Sequence, residues 1–319
     1  CTFVPDRYAK DRTGSSDAAH ILTDGCGLIS PSLARRVQIE YAKKQLPSTI
    51  IPKHECYQTD GSYQHSVQKA ASLKPMTEVP SAFQIRFAGN KGMLVVAYSD
   101  EAMRGYDIIF SESMKKFTTP SKIEHATLEI MGFSFPSPSV ELNTEVLDIL
   151  VGNASDSESV FNFFKSRLDE LLSDCKSQLD DLSATIKHAY DTGDRIGLRM
   201  HLLGFPPDVA FLCSVYARTL RPLHIPISKS CRLYGVADFQ NVLTPGQIFV
   251  QYQGEVVEGT VLLLKEPCFS ATDVQEFQAV DDARLRHLQN VIVFSTSPDC
   301  LTSDPSKVAG SDLDGDKFV

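Results

Sequence analysis

No stretch of this 319-residue chain is apolar for the length that a membrane span requires, and no basic segment followed by an apolar one marks a secretory leader. The first absence points to a soluble chain with no membrane partner; the intracellular reading, cytoplasmic or nuclear, rests on the cysteines. Cysteine occurs eight times, at positions 1, 26, 56, 175, 213, 231, 268 and 300, but never as CxxC and never with the paired spacing of a structural zinc site. Reduced, mostly buried thiols are the direct reading, while the even count leaves a disulfide reading open. An excess of positive charge is missing too: 31 Lys and Arg face 40 Asp and Glu, for a formal net charge of -9. That excludes a surface that binds nucleic acid all over. There is no evident Ser-His-Asp arrangement, and His20, His54, His65 and His125 lack metal-ligand spacing.

What is present is a globular balance, 42 % hydrophobic and 22 % charged, with length enough for two domains or three small ones. Charge is unevenly placed. Residues 140–181 hold ten acidic and three basic side chains, whereas RTLRPLHIPISKSCR, from Arg218 to Arg232, holds four basic and no acidic ones. An acidic spacer and a basic approach to a final region can coexist on one polymerase or nuclease. The chain starts at Cys1 and stops three residues after an aspartate cluster, so it is expected to be an internal piece of a longer protein.

Periodicity divides the chain in three. In AFQIRFAGNKGMLVVAY, Phe83, Ile85 and Phe87 alternate before a glycine-rich break, which predicts a β-hairpin around Gly89 to Gly92. From about 155 to 192, Phe161, Phe164, Leu168, Leu171, Cys175, Leu179, Leu182 and Ile186 recur at threes and fours. This predicts one helix, or two broken near Asp180, starting at a Ser155/Glu158 capping box and stopping by Gly193. A coiled coil competes less well because the spacing is not held to sevens. A shorter helix follows GFPP, with Pro207 in its first turn and Val209, Leu212 and Val215 available for packing. The last hundred residues return to β character in QIFVQY, GTVLLLK and NVIVF, with a short helix expected in DDARLRHLQN. That pattern suits a closed or semi-closed barrel better than repeating βαβ units.

Near the C-terminal end, SDLDGD sets Asp312, Asp314 and Asp316 two residues apart. On an extended strand the outer two would stand roughly 13 Å apart, and on a helix Asp314 would point away from the others. To share a site the backbone must curl, and Gly315 permits it. An EF-hand is a poor match, since its glycine belongs at loop position 6 and here it is at position 4. A calcium loop of another kind, a solvated acidic turn and a Mg²⁺ site all remain open on the motif alone.

SDLDGD resembles the catalytic signature of the cellular RNA-dependent RNA polymerases of eukaryotic RNA silencing, whose core is related to the two large subunits of DNA-directed RNA polymerases. The resemblance extends, in the family's order, to TDGCGLISPSLA from Thr23, AFQIRFAGNKGML from Ala82, SESMKKF from Ser111, YGVADFQNVLTPGQIFVQY from Tyr234 and GTVLLLKEPC from Gly259. It implies a mixed β and α fold with two double-psi β-barrels joined by a mainly helical connector. The first barrel region would be 1–135, the acidic helical connector 136–217, and the second barrel, carrying the aspartate loop, 218–319.

The resemblance further implies metal-assisted nucleotidyl transfer: nucleoside triphosphates joined on a single-stranded RNA template, pyrophosphate released, and double-stranded RNA made for silencing, with silencing factors as further partners. Asp312, Asp314 and Asp316 would hold Mg²⁺, or Mn²⁺ in its place. Lys91 and Lys116 would be the catalytic lysines facing triphosphate, with Arg86 and Lys115 as substrate-binding residues. Asp24, Gly25 and Gly27 would form a turn near product RNA or a purely structural one. Asp238 would shape the loop after YGVA. The chain departs from the family pattern at Ser311, where a glycine is usual, at KEP before Cys268, and along STSPDCLTSDPSK. An inactive RNA-binding paralogue and a non-enzymatic metal-binding domain are therefore the alternatives to a polymerase.

Overall fold

The computed structural model describes residues 1–10, 16–45, 78–118, 127–136, 140–142, 144–179, 196, 199–200, 203–215, 225–227, 229–268 and 270–319. In chain order its elements are β1 (Thr2–Val4), β2 (Tyr8–Lys10), β3 (Ser16–Ile21), β4 (Cys26–Ile29), α1 (Pro31–Gln45), β5 (Ala82–Phe87), β6 (Asn90–Val96), β7 (Ile108–Ser111), β8 (Glu129–Phe133) and β9 (Glu141–Leu142). Then come α2 (Thr144–Asn153), α3 (Ser157–Leu179), α4 (Pro207–Val215), β10 (Ile225–Pro226), β11 (Leu233–Ala237), β12 (Gln247–Tyr252), β13 (Glu255–Val256), β14 (Gly259–Leu263), β15 (Gln275–Ala279), β16 (Val291–Phe294), α5 (Asp304–Lys307) and β17 (Lys317–Phe318). The fold is mixed α and β. Among the described residues no helix is long and apolar enough to cross a membrane.

The chain forms two compact units. One comprises Cys1–Phe135, Leu233–Val261 and Phe277–Lys317; the other comprises Pro136–Arg232, Leu262–Glu276 and Phe318–Val319. The first unit contains two mixed sheets. In one, the order is β1-β7-β4-β6-β5-β8. β1 runs parallel to β7, β7 antiparallel to β4, and β4 parallel to β6. In the other, β15 runs parallel to β12, β12 antiparallel to β16, and β16 parallel to β11.

Alternation decides which faces are buried. Phe83, Ile85 and Leu94 of the β5–β6 hairpin are fully buried with Ile29, Phe110 and Met114, and Leu33, Val37 and Tyr41 of α1 pack against the same cluster. VIVF of β16 is buried at every position, as expected of a strand covered on both faces. The predicted hairpin forms with Phe87 paired to Asn90. Its two turn residues, Ala88 and Gly89, have φ of 45° and 82°, the left-handed pair that a tight two-residue hairpin needs. Of the eight cysteines, six are free thiols among the described residues, and Cys26, Cys268 and Cys300 of these are buried.

The second unit holds α2, α3 and α4. Leu147 and Ile225 form its small buried cluster, with Phe164 and Ile227 packed against it. The long predicted helix is present as α3 over Ser157–Leu179; Leu182, Ile186 and Gly193 lie outside the described residues. Its start differs from expectation by one residue. Asp156, not Ser155, accepts the Ser159 backbone N–H at 3.0 Å, because a carboxylate offers the stronger acceptor for an orphan N–H. Phe164, Leu168 and Leu171 are half-buried, while Phe161 is exposed.

DDARLRHLQN forms turns over 283–287 rather than a helix. Leu285 and Leu288 donate to carbonyls three residues back, and the Arg284 carbonyl is taken by the Gln240 side chain at 2.8 Å. The arginines themselves fold back onto Asp282 and Asp281. Local side-chain bonds have displaced the helical ladder.

Candidate active site

The aspartate loop joins α5 to β17 and lies within the first unit. It curls because its own carboxylates bind its backbone: Asp314 N donates to Asp312 Oδ1 at 3.0 Å, and Asp312 N donates to Asp316 Oδ2 at 3.2 Å. Gly315, at φ 136°, supplies the turn, and the Gln84 side chain lies so close that a Cβ there would meet its Nε2 at 2.0 Å. Both sheets hold the loop. Leu313 N donates to Asp24 O at 3.1 Å, and Gly235 N of β11 donates to Asp316 O at 3.2 Å.

Lys91 is the second residue of β6, and the hairpin delivers its Nζ to Asp314 Oδ2 at 2.8 Å. The SMKKF segment passes back over the hairpin turn, with Lys116 N and Phe117 N both donating to Gly89 O. Lys116 Nζ thereby stands 4.0 Å from the same Asp314 oxygen. Lys115 is exposed and pairs through its backbone with Asn90. Arg86 is exposed on β5, opposite Lys91 on one side and Glu129 on the other. The structure thus brings Lys91, Lys116 and Asp314 together, and leaves Arg86 and Lys115 at the margin.

Close approach explains two glycines. A Cβ at Gly25 would lie 2.4 Å from Asp314 Cβ, and one at Gly92 would lie 2.1 Å from Gly25 O. TDGCG therefore wedges between hairpin and loop. Asp238 is fully buried and its carboxylate accepts N–H bonds from Gln240, Val242 and Leu243, which fixes the loop after YGVA as expected.

Charge is tightly interlocked. The bond to Asp314 raises the Lys91 amine pKa above its ordinary value, so it is cationic at neutral pH. Burial raises the Asp24 carboxyl, helped by the charge of Asp312 and, more weakly, of Asp6 and Asp314, and opposed by Lys116. Asp24 thus stands beside the aspartate loop, which its carbonyl holds through Leu313 N, where the sequence suggested only a turn residue. Gln84 and Asp6 were also missed. Gln84 is one polar position on an alternating strand, and Asp6 belongs to no motif, so neither carries a sequence signal. Among the described residues no group of three His, Cys, Asp or Glu side chains is disposed to hold a metal ion: Asp312 and Asp316 each turn an oxygen toward the loop's own N–H groups, and Asp314 turns one toward Lys91. Ser311, the departure next to the first aspartate, is buried and gives its hydroxyl to Val308 O.

The family model described as RNA dependent RNA polymerase matches residues 2–319. The chain is similar to the probable RNA-dependent RNA polymerase SHL2 of Oryza sativa subsp. japonica, 28 % identical over 99 % of this chain and 25 % of that protein. It is similar also to RNA-dependent RNA polymerase 1 of Schizosaccharomyces pombe, 26 % identical over 94 % of this chain and 24 % of that protein. The fold resembles that of the RNA dependent RNA polymerase QDE-1 from Thielavia terrestris with a TM-score of 0.70 at 23 % identity, covering 99 % of this chain and 35 % of that one. The chain therefore spans about a quarter of the length of these curated relatives. With the family match running through both sheets and the aspartate loop, the chain belongs to the RNA-dependent RNA polymerase family.

Proposed function

We propose that this chain is the catalytic region of a polymerase that copies single-stranded RNA, joining nucleoside triphosphates with release of pyrophosphate and producing double-stranded RNA for silencing. One observation carries the reading: on a curled DLDGD loop, Asp314 is flanked by Lys91 at 2.8 Å and Lys116 at 4.0 Å. A carboxylate loop meeting two cations is the charge layout that phosphoryl transfer requires. The matching parallel, antiparallel, parallel strand pattern of the two sheets supports a pair of related double-psi barrels in regions 1–135 and 218–319, with 136–217 as connector.

The three carboxylates do not converge in this arrangement, but they offer the hard oxygen donors that a divalent ion takes; turned from the N–H groups and from Lys91 that they face here, Asp312, Asp314 and Asp316 would hold Mg²⁺, with Mn²⁺ as a substitute. The chemistry supplied by such an ion when bound is acidification of the attacking 3′-hydroxyl and neutralisation of the triphosphate. The chain's own residues do the rest. Lys91 and Lys116 exchange Asp314 for triphosphate oxygens, acting as flexible point charges that follow the phosphates. Gly25 and Gly92 keep the loop close to the hairpin, and Gln84 packs under Gly315 to hold its turn. Arg86 and Lys115, exposed on either side, contact the nucleic acid backbone.

The test is incorporation of labelled nucleotide on an RNA template by a full-length chain containing these residues, with and without Mg²⁺ or Mn²⁺. Asp316→Ala should lower turnover on the order of a hundredfold or more while thermal melting stays near wild type. Lys91→Ala should act mainly on the nucleotide concentration needed for half-maximal rate. Incorporation by Asp316→Ala at the wild-type rate removes the proposed site, and RNA retention without incorporation by the wild type identifies an RNA-binding paralogue instead.

A further inference from the structure

Asp6 lies before β2, outside every sequence block described above, and is 7 % exposed. Both of its oxygens are committed. Oδ1 accepts the Thr23 hydroxyl at 2.8 Å and the Ser113 hydroxyl at 2.9 Å, and Oδ2 accepts the Ser113 backbone N–H at 2.7 Å. Ser113 Oγ in turn accepts the Gly25 backbone N–H at 2.9 Å, and Thr23 Oγ1 accepts Arg7 N at 3.0 Å. One buried carboxylate therefore ties together two segments far apart in sequence, the Thr23–Gly25 turn and the segment that runs from Ser113 to Lys116.

These two segments are the ones that meet at Asp314. The turn touches the aspartate loop through Gly25 against Asp314 Cβ and through the bond from Leu313 N to Asp24 O. The other segment delivers Lys116 to Asp314 Oδ2, three residues beyond Ser113. Charge-assisted hydrogen bonds to a buried carboxylate are among the stronger ones and have defined directions, so the clamp sets a distance as well as adding stability.

We propose that Asp6, through Thr23 and Ser113, is a positioning residue that fixes the separation of the Lys116 ammonium from the aspartate loop. This rests on the reading of the loop and lysines as a nucleotidyl-transfer site. Asp6 touches neither lysine nor loop aspartate in this arrangement; it acts through the segments it joins. Asp6→Asn keeps the volume but replaces one acceptor with a donor, which opposes a donor already aimed at it from Thr23 or Ser113.

The experiment compares wild type, Asp6→Asn, Thr23→Ser, Lys116→Ala and the Asp6→Asn/Lys116→Ala double variant in the full-length chain, each below its melting temperature. The readouts are nucleotide KM and kcat, together with amide hydrogen exchange. Asp6→Asn should raise nucleotide KM at least fivefold with a smaller change in kcat, Thr23→Ser should stay within twofold of wild type, and the double variant should be no worse than Lys116→Ala alone. Exchange should quicken at residues 23–25 and 112–116 and stay unchanged in β12 and β16. Equal, additive losses in the double variant overturn the proposal, because they show that Asp6 does not act through Lys116. A wild type that incorporates nothing sinks the functional reading instead. Exchange then decides the clamp by itself, and unchanged protection at both segments in Asp6→Asn overturns it.

Discussion

His287 is a side chain whose protonation the fold opposes. It sits in the turn after β15, with Nδ1 3.0 Å from the Arg284 carbonyl and its ring edge-on to Tyr98 at 5.5 Å. Burial lowers its pKa below 6.5, and the backbone carbonyls of Arg284 and Val96 only partly offset this. A depressed folded pKa means that the stabilising contribution is present in full above 6.5 and is lost as pH falls through the folded value. Melting temperature should therefore step down below about pH 6.5, the ordinary histidine value, and His287→Gln should remove that step while leaving the acid unfolding driven by carboxylates. A wild type and variant with parallel pH profiles would show that the ring is solvated in both states. The same physics keeps Asp24 from reading as a site residue in the sequence: a lone aspartate before glycine signals a turn, and only the fold reveals that burial and Asp312 raise its carboxyl.

Elements were legible where local chemistry decides them. The β5–β6 hairpin follows from alternation plus a break at Gly89, and α3 follows from its apolar spacing, because Phe164, Leu168 and Leu171 stand on one face. α1 was not foreseen, although Ser30 accepts the Leu33 N–H at 3.1 Å ahead of Pro31 in a normal N-cap. Its apolar face is narrow, and the signal lay in that cap and in Leu33, Val37 and Tyr41 recurring at fours. The turn expected to be a helix at 283–287 failed because Asp281 and Asp282 captured the arginines meant for a helical surface. The hairpin also explains how Lys116 is placed, since Gly89 O accepts two N–H groups from the SMKKF segment. Gly89→Ala would put a Cβ 2.2 Å from Phe117 O at a φ of 82°, so the turn and the lysine segment must separate. The expected cost is about 1–2 kcal/mol from the left-handed backbone alone, read as a lower denaturant midpoint, together with a higher nucleotide KM. An unchanged KM in the folded variant would mean that Lys116 is held independently of the hairpin turn.

At the scale of the molecule, the aspartate loop belongs to a unit assembled from three separated stretches of chain. The family resemblance implied a first barrel region of 1–135, and a cut there would divide this unit. The consequences can be followed residue by residue. Arg7 is buried enough to lower its pKa despite the nearby charge of Asp238, and its guanidinium donates to the Asp238 carbonyl, the Phe239 carbonyl and Thr296 Oγ1. Buried Ser81 accepts the Gln289 N–H at 2.7 Å, and the Cys26 thiol, its pKa pushed up to about 12 by full burial, lies against the Ala237 N–H. Without residues 233–317, these groups would lose their partners and the face they line would open to water, forfeiting its apolar burial together with about 1 kcal/mol for each lost hydrogen bond and more for those of the charged arginine. Such losses together rival the whole stability of a typical domain, about 5–15 kcal/mol. A fragment of residues 1–135 should therefore show no cooperative thermal transition by calorimetry and poorly dispersed amide resonances, whereas the whole chain melts cooperatively. A sharp transition in the isolated fragment would establish region 1–135 as a self-standing barrel, and the hydrogen bonds from Arg7 and Ser81 to the other segments would then be ornaments of the fold and not conditions for it.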